Sequence, residues 1–158
     1  MRFVVLEALY EAETSTHDAE TAFQRRLRDV STEDAELTEH GPQSFGLGML
    51  RGVLARREEL DQRIADAAPR FPVTDMAVVD RNILRLAIWE LVTHTSAPTG
   101  AVVNEAVELA RRYGGERTPG FVNGVLRTIA GKVRDAGDKS PAPSPPEIPN
   151  QHREQENP

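Results

Sequence analysis

The stretch that decides the fold is VVDRNILRLAIWEL, residues 78–91. Its apolar side chains recur at helical spacing and are Val79, Ile83, Leu84, Leu86, Ala87, Ile88 and Leu91. Together they cover most of the circumference of a helix, and a helix that is apolar on nearly every side must be surrounded by other elements. We therefore predict that a helix over 76–94, capped by Asp75, lies at the centre of the molecule.

The sequence on both sides of this stretch also favours helices, because apolar-periodic segments recur and alternating β-branched runs do not. The periodicity predicts helices over 2–13, 17–29, 43–67, 100–113 and 118–134. Pro98 ends the central helix, and Gly114 with Gly115 ends the next one. Thr118 followed by Pro119 is typical of an N-cap and a first helical position. The predicted fold class is all-α, with about six to seven helices.

Composition excludes several classes of protein. The chain has 158 residues, of which 39% are hydrophobic, and it contains no Cys. It therefore has no disulfide framework, no thiol nucleophile and no Cys-ligated zinc site. No apolar run reaches the roughly 18 residues of a membrane span, and acidic residues interrupt the first segment. We expect a cytoplasmic protein with no membrane association.

Charge is unevenly distributed along the chain. The net charge of −6 divides into −5 for residues 1–74, +2 for residues 75–134 and −3 for residues 135–158. Of the 19 basic residues, 17 are Arg, whose planar fork suits phosphate where it is exposed. Residues 135–158 are rich in Pro and acidic, and we predict a disordered tail there, after a domain over 1–134.

No motif of catalysis is present. The chain has no GxxxxGK[ST] loop, no HExxH pair and no GxSxG elbow, and its four His residues are scattered. We expect no enzymatic activity, no cofactor and no metal. Arg81 and Arg85 lie four residues apart on one helix face, where like charges repel unless an acidic partner or phosphate neutralises them. They form either a solvated face or a recognition surface flanked by Asp80 and Glu90.

The segment GFVNGVL, residues 120–126, places an Asn-Gly pair inside the last predicted helix. Each Gly costs about 1 kcal/mol against Ala within a helix. Gly120, Gly124 and Gly131 therefore predict the close approach of another helix or of a ligand backbone. Asn123 either hydrogen-bonds a neighbouring helix end as a buried amide or faces a ligand.

Three segments together resemble the NusB family of transcription antitermination factors. They are VVDRNILRLAIWEL (78–91), VVNEAVELARRYGGE (102–116) and GFVNGVLRTIA (120–130), and ALYE in the first helix fits as well. The resemblance covers about residues 2–134. It implies two small helical bundles packed together, over 1–70 and 75–134, and a function without catalysis. Members pair with NusE, a small-subunit ribosomal protein, bind boxA RNA of ribosomal operons and join an antitermination complex on RNA polymerase.

The resemblance also implies site residues. The acidic contact to NusE falls on Asp80, and Arg85 and Glu90 belong to the same motif. The residues expected to bind RNA are Arg2, Tyr10, Arg117, Phe121, Asn123 and Arg127, although the positions of Arg117 and Arg127 vary among relatives. Tyr10 and Phe121 also lie beside apolar stripes, so packing in the core is the alternative for both.

One departure from the family concerns the segment ahead of Tyr10. Members usually carry several Arg residues there, whereas this sequence has only Arg2. Either the true start lies upstream, or RNA binding is weaker, because each lost phosphate contact lowers affinity. The alternative function is thus a protein-only adaptor that binds NusE. The oligomeric state stays open, with a homodimer included.

Overall fold

The computed structural model describes residues 1–94 and 97–138, and within them every regular element is helical. The helices are α1 (Arg2–Thr14), α2 (Ala19–Ser31), α3 (His40–Ala55), α4 (Arg57–Ala67), α5 (Val78–Thr93), α6 (Thr99–Tyr113) and α7 (Thr118–Asp138). Two short 3-10 turns, Ala35–Thr38 and Val73–Asp75, lie in the connections before α3 and α5. The predicted all-α class is confirmed.

The centre of the molecule is α5, as its apolar circumference predicts. It packs against α1, α3 and α4 from the first half of the chain and against α6 and α7 from the second. Every residue from 82 to 91 is buried. Because burying one large apolar side chain contributes about 1.5–3 kcal/mol, this helix is a principal source of the stability of the fold.

The predicted helix over 43–67 is wrong in one respect, because it breaks at Arg56. The backbone of Arg56 leaves the helical region, with φ −112° and ψ 19°, and separates α3 from α4. The break lets α3 pack on α1 while α4 turns towards α7. Leu60 and Ile64 of α4 become fully buried there. Tertiary burial outweighs helical continuity, and no Pro or Gly marks the position.

The predicted Asp75 cap is also wrong. Asp75 lies in the 3-10 turn Val73–Asp75, and α5 begins three residues later at Val78. The side chain of Arg81 reaches back to this connection, where it donates to the carbonyl oxygens of Met76 at 3.1 Å and Thr74 at 3.5 Å. A guanidinium, and not a carboxylate cap, therefore holds the entry to α5.

Close helix approach occurs at glycines other than those predicted. A Cβ atom at Gly120, Gly124 or Gly131 would meet nothing within 4 Å, so α7 has no packing need for them. On α3, by contrast, a Cβ at Gly52 would overlap the indole of Trp89. Close glycine contacts thus lie on α3, at Gly52 against α5 and at Gly46 against Met1 and Phe23.

The last helix continues past the predicted domain end at residue 134, to Asp138. Residues 135–138, expected to be part of the tail, are therefore helical. The first Pro of the tail is Pro141, so no Pro interrupts these four residues. The rest of the predicted tail, 139–158, lies outside the described residues.

Candidate functional site

A cleft of about 590 Å³ opens between the connection that follows α4 and the start of α7. We call it the aromatic cleft, and its lining residues are Arg70, Phe71, Pro72, Asp75, Met76, Ala77, Asp80, Arg117, Thr118 and Phe121. Three of the residues predicted from sequence, Asp80, Arg117 and Phe121, meet here although 41 residues separate the first from the last. The fold thus gathers part of the predicted site into one surface depression.

Two phenylalanines form a wall of the aromatic cleft. The ring centroids of Phe71 and Phe121 are 5.2 Å apart and the planes meet at 65°, an edge-to-face arrangement. Phe71 is 56% exposed, and Phe121 is partly buried against the core. A second depression of about 360 Å³ continues from these rings over Gly120 and Gly124. Exposed apolar surface of this kind marks interaction sites.

Asp80 contributes a carboxylate to the same cleft. Its Oδ1 accepts a hydrogen bond from the Thr118 hydroxyl at 3.2 Å. Burial raises the pKa of Asp80 above its usual value, and the bond from Thr118 opposes that shift only in part. No cation from the described residues pairs with it. Asp80 is therefore a desolvated carboxylate that a cationic partner would stabilise.

Thr118 ties the start of α7 to α5. Its hydroxyl oxygen accepts from the backbone N–H of Gly115 at 3.0 Å and donates to Asp80. The helix begins at Thr118 itself, so the predicted N-cap is displaced by one position. A Cβ at Gly114 would lie 2.6 Å from the Thr118 side chain, which is why the turn needs glycine there. This packing fixes where Arg117 and Phe121 stand relative to Asp80.

Tyr10 is not a core residue. It is 46% exposed and lines a groove of about 580 Å³ with Glu7, Glu11, Val79 and Tyr113, among others. The Tyr113 hydroxyl donates to Glu7 at 2.8 Å. Because Val79 precedes Asp80, this groove and the aromatic cleft flank the start of α5. The two carboxylates of the groove, Glu7 and Glu11, form ion pairs with Arg26 and Arg25, which distinguishes the groove from the cleft.

Two residues predicted to contact a partner lie inside the molecule. Arg85 is 3% exposed and donates to both carboxylate oxygens of Asp61, at 2.6 and 2.9 Å. It also donates to Glu13 at 3.2 Å, and Glu13 pairs in turn with Arg81. The acidic partners of the arginine pair are thus Glu13 and Asp61, and not its neighbours Asp80 and Glu90. Burial leaves Arg85 no surface for direct contact.

Glu90 is likewise 3% exposed, and it holds Arg2. The Nε of Arg2 donates to Glu90 Oε2 at 3.0 Å, and a second, short bond joins its Nη2 to Oε1. The Arg2 guanidinium also lies 5.4 Å from the ring centroid of Phe45. Direct contact of Glu90 with a partner is incompatible with this burial, and Arg2 is engaged within the chain.

Asn123 and Arg127 bond to each other on the surface of α7. The Nε of Arg127 donates to Asn123 Oδ1 at 3.1 Å. The expectation of a buried amide that satisfies a neighbouring helix end is therefore wrong. Both side chains, together with exposed Arg117, remain on the outside near the cleft.

Sequence reasoning missed Phe71 and Arg70. Both follow α4 in a connection without helical periodicity, so no apolar pattern points to them. The signal that was available is the Phe-Pro pair itself, because a large ring next to Pro in a connecting segment has no helix face on which to be buried.

Other kinds of site are not found in the described part of the chain. Within residues 1–94 and 97–138, no group of three or more His, Asp or Glu side chains could hold a metal ion. No helix of that part is long and apolar enough to cross a membrane.

Comparison with known proteins gives consistent matches. The model of the NusB family matches residues 1–131. The transcription antitermination protein NusB of Dehalococcoides mccartyi (strain CBDB1) is 35% identical over 138 residues, covering 87% of this chain and 92% of that protein. The protein of that name from Chloroflexus aggregans is 38% identical over 133 residues, covering 82% and 83%.

Solved structures share the fold. T. maritima NusB superposes with a TM-score of 0.73 at 30% identity, over 83% of this chain and 88% of that one. The antitermination factors NusB and NusE in complex with double-stranded RNA give a TM-score of 0.70 at 24% identity, over 83% and 93%. The helical architecture and the matched segments agree over nearly the whole described part, and the chain belongs to the NusB family of transcription antitermination proteins.

Proposed function

We propose that this antitermination protein binds a NusE-type ribosomal protein and boxA RNA around the aromatic cleft, and that it acts within an antitermination complex on RNA polymerase. The observation that supports this most is the unpaired carboxylate of Asp80 beside exposed aromatic rings and free guanidinium groups. A family relative of the same fold was solved with NusE and RNA. The cleft offers chemistry for both kinds of partner.

Asp80 is the residue that we assign to the protein partner. A ribosomal protein is basic. A cation bound next to Asp80 would compensate the carboxylate for the contacts with water that it loses on folding. Arg85 and Glu90 support this site indirectly, because each holds α5 in place through buried ion pairs. Their substitution is therefore expected to act through stability.

Phe121 and Arg117 are assigned to RNA, with Phe71 as an addition. Stacking of a base on an exposed ring contributes about 1–3 kcal/mol, and guanidinium contacts to phosphate weaken as salt rises. Asn123 and Arg127 lie next to these groups on α7. Tyr10 is exposed enough to stack on a base, and the carboxylates beside it, Glu7 and Glu11, are neutralised by Arg26 and Arg25.

The protein-only adaptor remains the second candidate, and one observation favours it. Arg2, in the first turn of α1, is already bonded to Glu90. An arginine that neutralises a buried glutamate is not free for phosphate. Weak RNA affinity with intact NusE binding would follow.

The test is RNA binding with and without NusE at two salt concentrations, using boxA RNA and a scrambled RNA of equal length. We expect boxA to bind more tightly than the scrambled RNA, and Phe71→Ala or Phe121→Ala to weaken it by about 5- to 150-fold. Asp80→Lys should abolish NusE binding, and Arg2→Ala should leave RNA affinity unchanged. Equal affinity for both RNAs with intact NusE binding would establish the adaptor. NusE binding that survives Asp80→Lys would refute the assignment of Asp80.

A further inference from the structure

Cations without a carboxylate partner are concentrated on one side of the molecule. Ten arginines of the described residues form ion pairs within the chain. The basic side chains that the structure leaves without such a pair are Arg28, Arg70, Arg112, Arg117, Arg127, Lys132 and Arg134. Four of these seven lie on α7 or directly before it. In a chain with a net charge of −6, this concentration needs an explanation.

The outer face of α7 is basic along most of its length. No acidic residue occurs between Arg117 and Arg134. Arg127 and Arg134 are exposed and seven residues apart, so they lie on the same side of the helix, about 10 Å apart along its axis. Gly120 lines the depression beside the Phe71 and Phe121 rings and precedes Arg127 by seven residues, so this basic face begins at the aromatic cleft.

Beside these arginines, the surface of the helix carries glycines and therefore lacks projecting side chains. Gly120, Gly124 and Gly131 lie next to Arg127 and Arg134 on the helix, and open space surrounds each of them. Gly120 and Gly124 are exposed and Gly131 is partly buried, and each lowers the stability of the helix by about 1 kcal/mol relative to alanine, with no packing gain in return. A polymer chain can approach the helix backbone closely along this strip.

We propose that the RNA site extends from the aromatic cleft along the outer face of α7, where Arg127 and Arg134 contact phosphates of nucleotides that flank the segment held at the cleft. This extension rests on the proposed function, because it presupposes that the cleft binds RNA. The extension adds contacts to the RNA backbone that do not depend on the base sequence. Affinity would then depend on the length of the RNA as well as on its sequence.

A protein partner fits this face less well than RNA does. The exposed large apolar side chains of the described part are Tyr10, Leu54 and Phe71, and none of them lies on α7. Protein interfaces need an apolar centre, whereas RNA backbone needs spaced cations on an accessible surface. The planar guanidinium groups also match phosphate geometry.

The experiment compares a boxA RNA with the same RNA extended by about six unpaired nucleotides at either end, within the range of single-strand site sizes. Binding is measured by fluorescence anisotropy on the full chain together with NusE, over a series of salt concentrations. The variant is Arg134→Ala, which leaves Arg127, at the cleft end of this face, in place. The matched control is Arg28→Ala, which removes an exposed, unpaired arginine from α2, a helix that packs on α1 and α3.

We expect the extended RNA to bind the wild type about tenfold more tightly, and Arg134→Ala to lose most of this gain while its affinity for the short RNA stays the same. The salt slope for the extended RNA should fall by about 0.7, since that is roughly the contribution of each phosphate contact on a single strand. Arg28→Ala should change neither quantity.

Three outcomes would overturn the extension while the short RNA still binds specifically. They are no gain from the added nucleotides, a gain that Arg134→Ala retains, and an equal loss in Arg28→Ala. If boxA and scrambled RNA bind equally, the proposed function fails and the extension fails with it. Thermal unfolding of each variant, followed by circular dichroism, shows whether the helix is intact.

Discussion

Asp80 and Arg81 are neighbours in sequence at the start of α5, yet they belong to two regions that differ in whether charged side chains are paired within the chain. On the side of Arg81, Glu13 and Asp61 neutralise a pair of arginines, and Asn82 completes the network. On the side of Asp80, a carboxylate and two guanidinium groups share a cleft without pairing. Charge that stabilises the fold is matched within the chain, whereas the charges that we propose for binding partners are left unmatched.

The largest effect should follow from breaking the matched region. Glu13→Ala leaves Arg81 and buried Arg85 without their shared carboxylate, and we expect the free energy of unfolding to fall by about 3–5 kcal/mol. Urea denaturation of the full chain measures it. The control is Glu11→Ala on the same helix, whose exposed pairs with His17 and Arg25 should contribute no more than about 1 kcal/mol. Equal losses in both variants would mean that the buried network has no special role.

A second test contrasts a glycine at a packed helix contact with a glycine on the open face of α7. Gly52→Ala on α3 forces a methyl group into the indole of Trp89, and we expect a loss of about 1–3 kcal/mol from overpacking. Gly124→Ala on α7 meets open space and should raise stability by about 1 kcal/mol, because alanine is the better helix former. Thermal melts of the two variants measure both changes. A destabilised Gly124→Ala would show that α7 packs more tightly than described.

The smallest effect concerns Asp80 and pH. Because burial raises its pKa in the folded state, the ionised carboxylate costs stability at neutral pH, and this cost disappears as the pH falls through that pKa. Asp80→Asn should therefore be slightly more stable than wild type at pH 7, and the difference should vanish towards pH ~4.

Glu13 should change the stability of the fold with pH in the opposite direction to Asp80. Burial alone would raise its pKa, but hydrogen bonds from Asn82 and Arg81 hold the pKa below its usual value. Its contribution is complete above the pKa of the unfolded chain and is lost as the pH falls through the folded pKa. Denaturation curves across acidic pH should thus show wild type losing the Glu13 contribution.

An Asp80→Asn variant less stable than wild type at pH 7 would contradict the assignment of a desolvation cost.

The sequence predicts the helical class and the central position of α5 because apolar periodicity is a local signal. The break at Arg56 has no such signal, since it follows from where Leu60 and Ile64 are buried. Glu13, the acidic partner of Arg81, is 68 residues away in the chain. Residue spacing within one helix cannot indicate such a distant partner, and it points instead to Asp80 and Glu90. The cleft is predictable in part, through Asp80 and Phe121, whereas Phe71 depends on how a connection folds.

If Asp80 and Phe121 bind the two partners that we propose, the hydroxyl of Thr118 connects the two binding sites. A ligand that moves Asp80 would change the hydrogen bond between Asp80 and Thr118, which positions the first turn of α7. A ligand that moves Phe121, in the same turn, would change that hydrogen bond as well. Thermodynamic reciprocity then requires each ligand to alter the affinity for the other by one and the same factor. Removing this single oxygen with Thr118→Val would uncouple the ribosomal protein from the transcript even if each still bound alone.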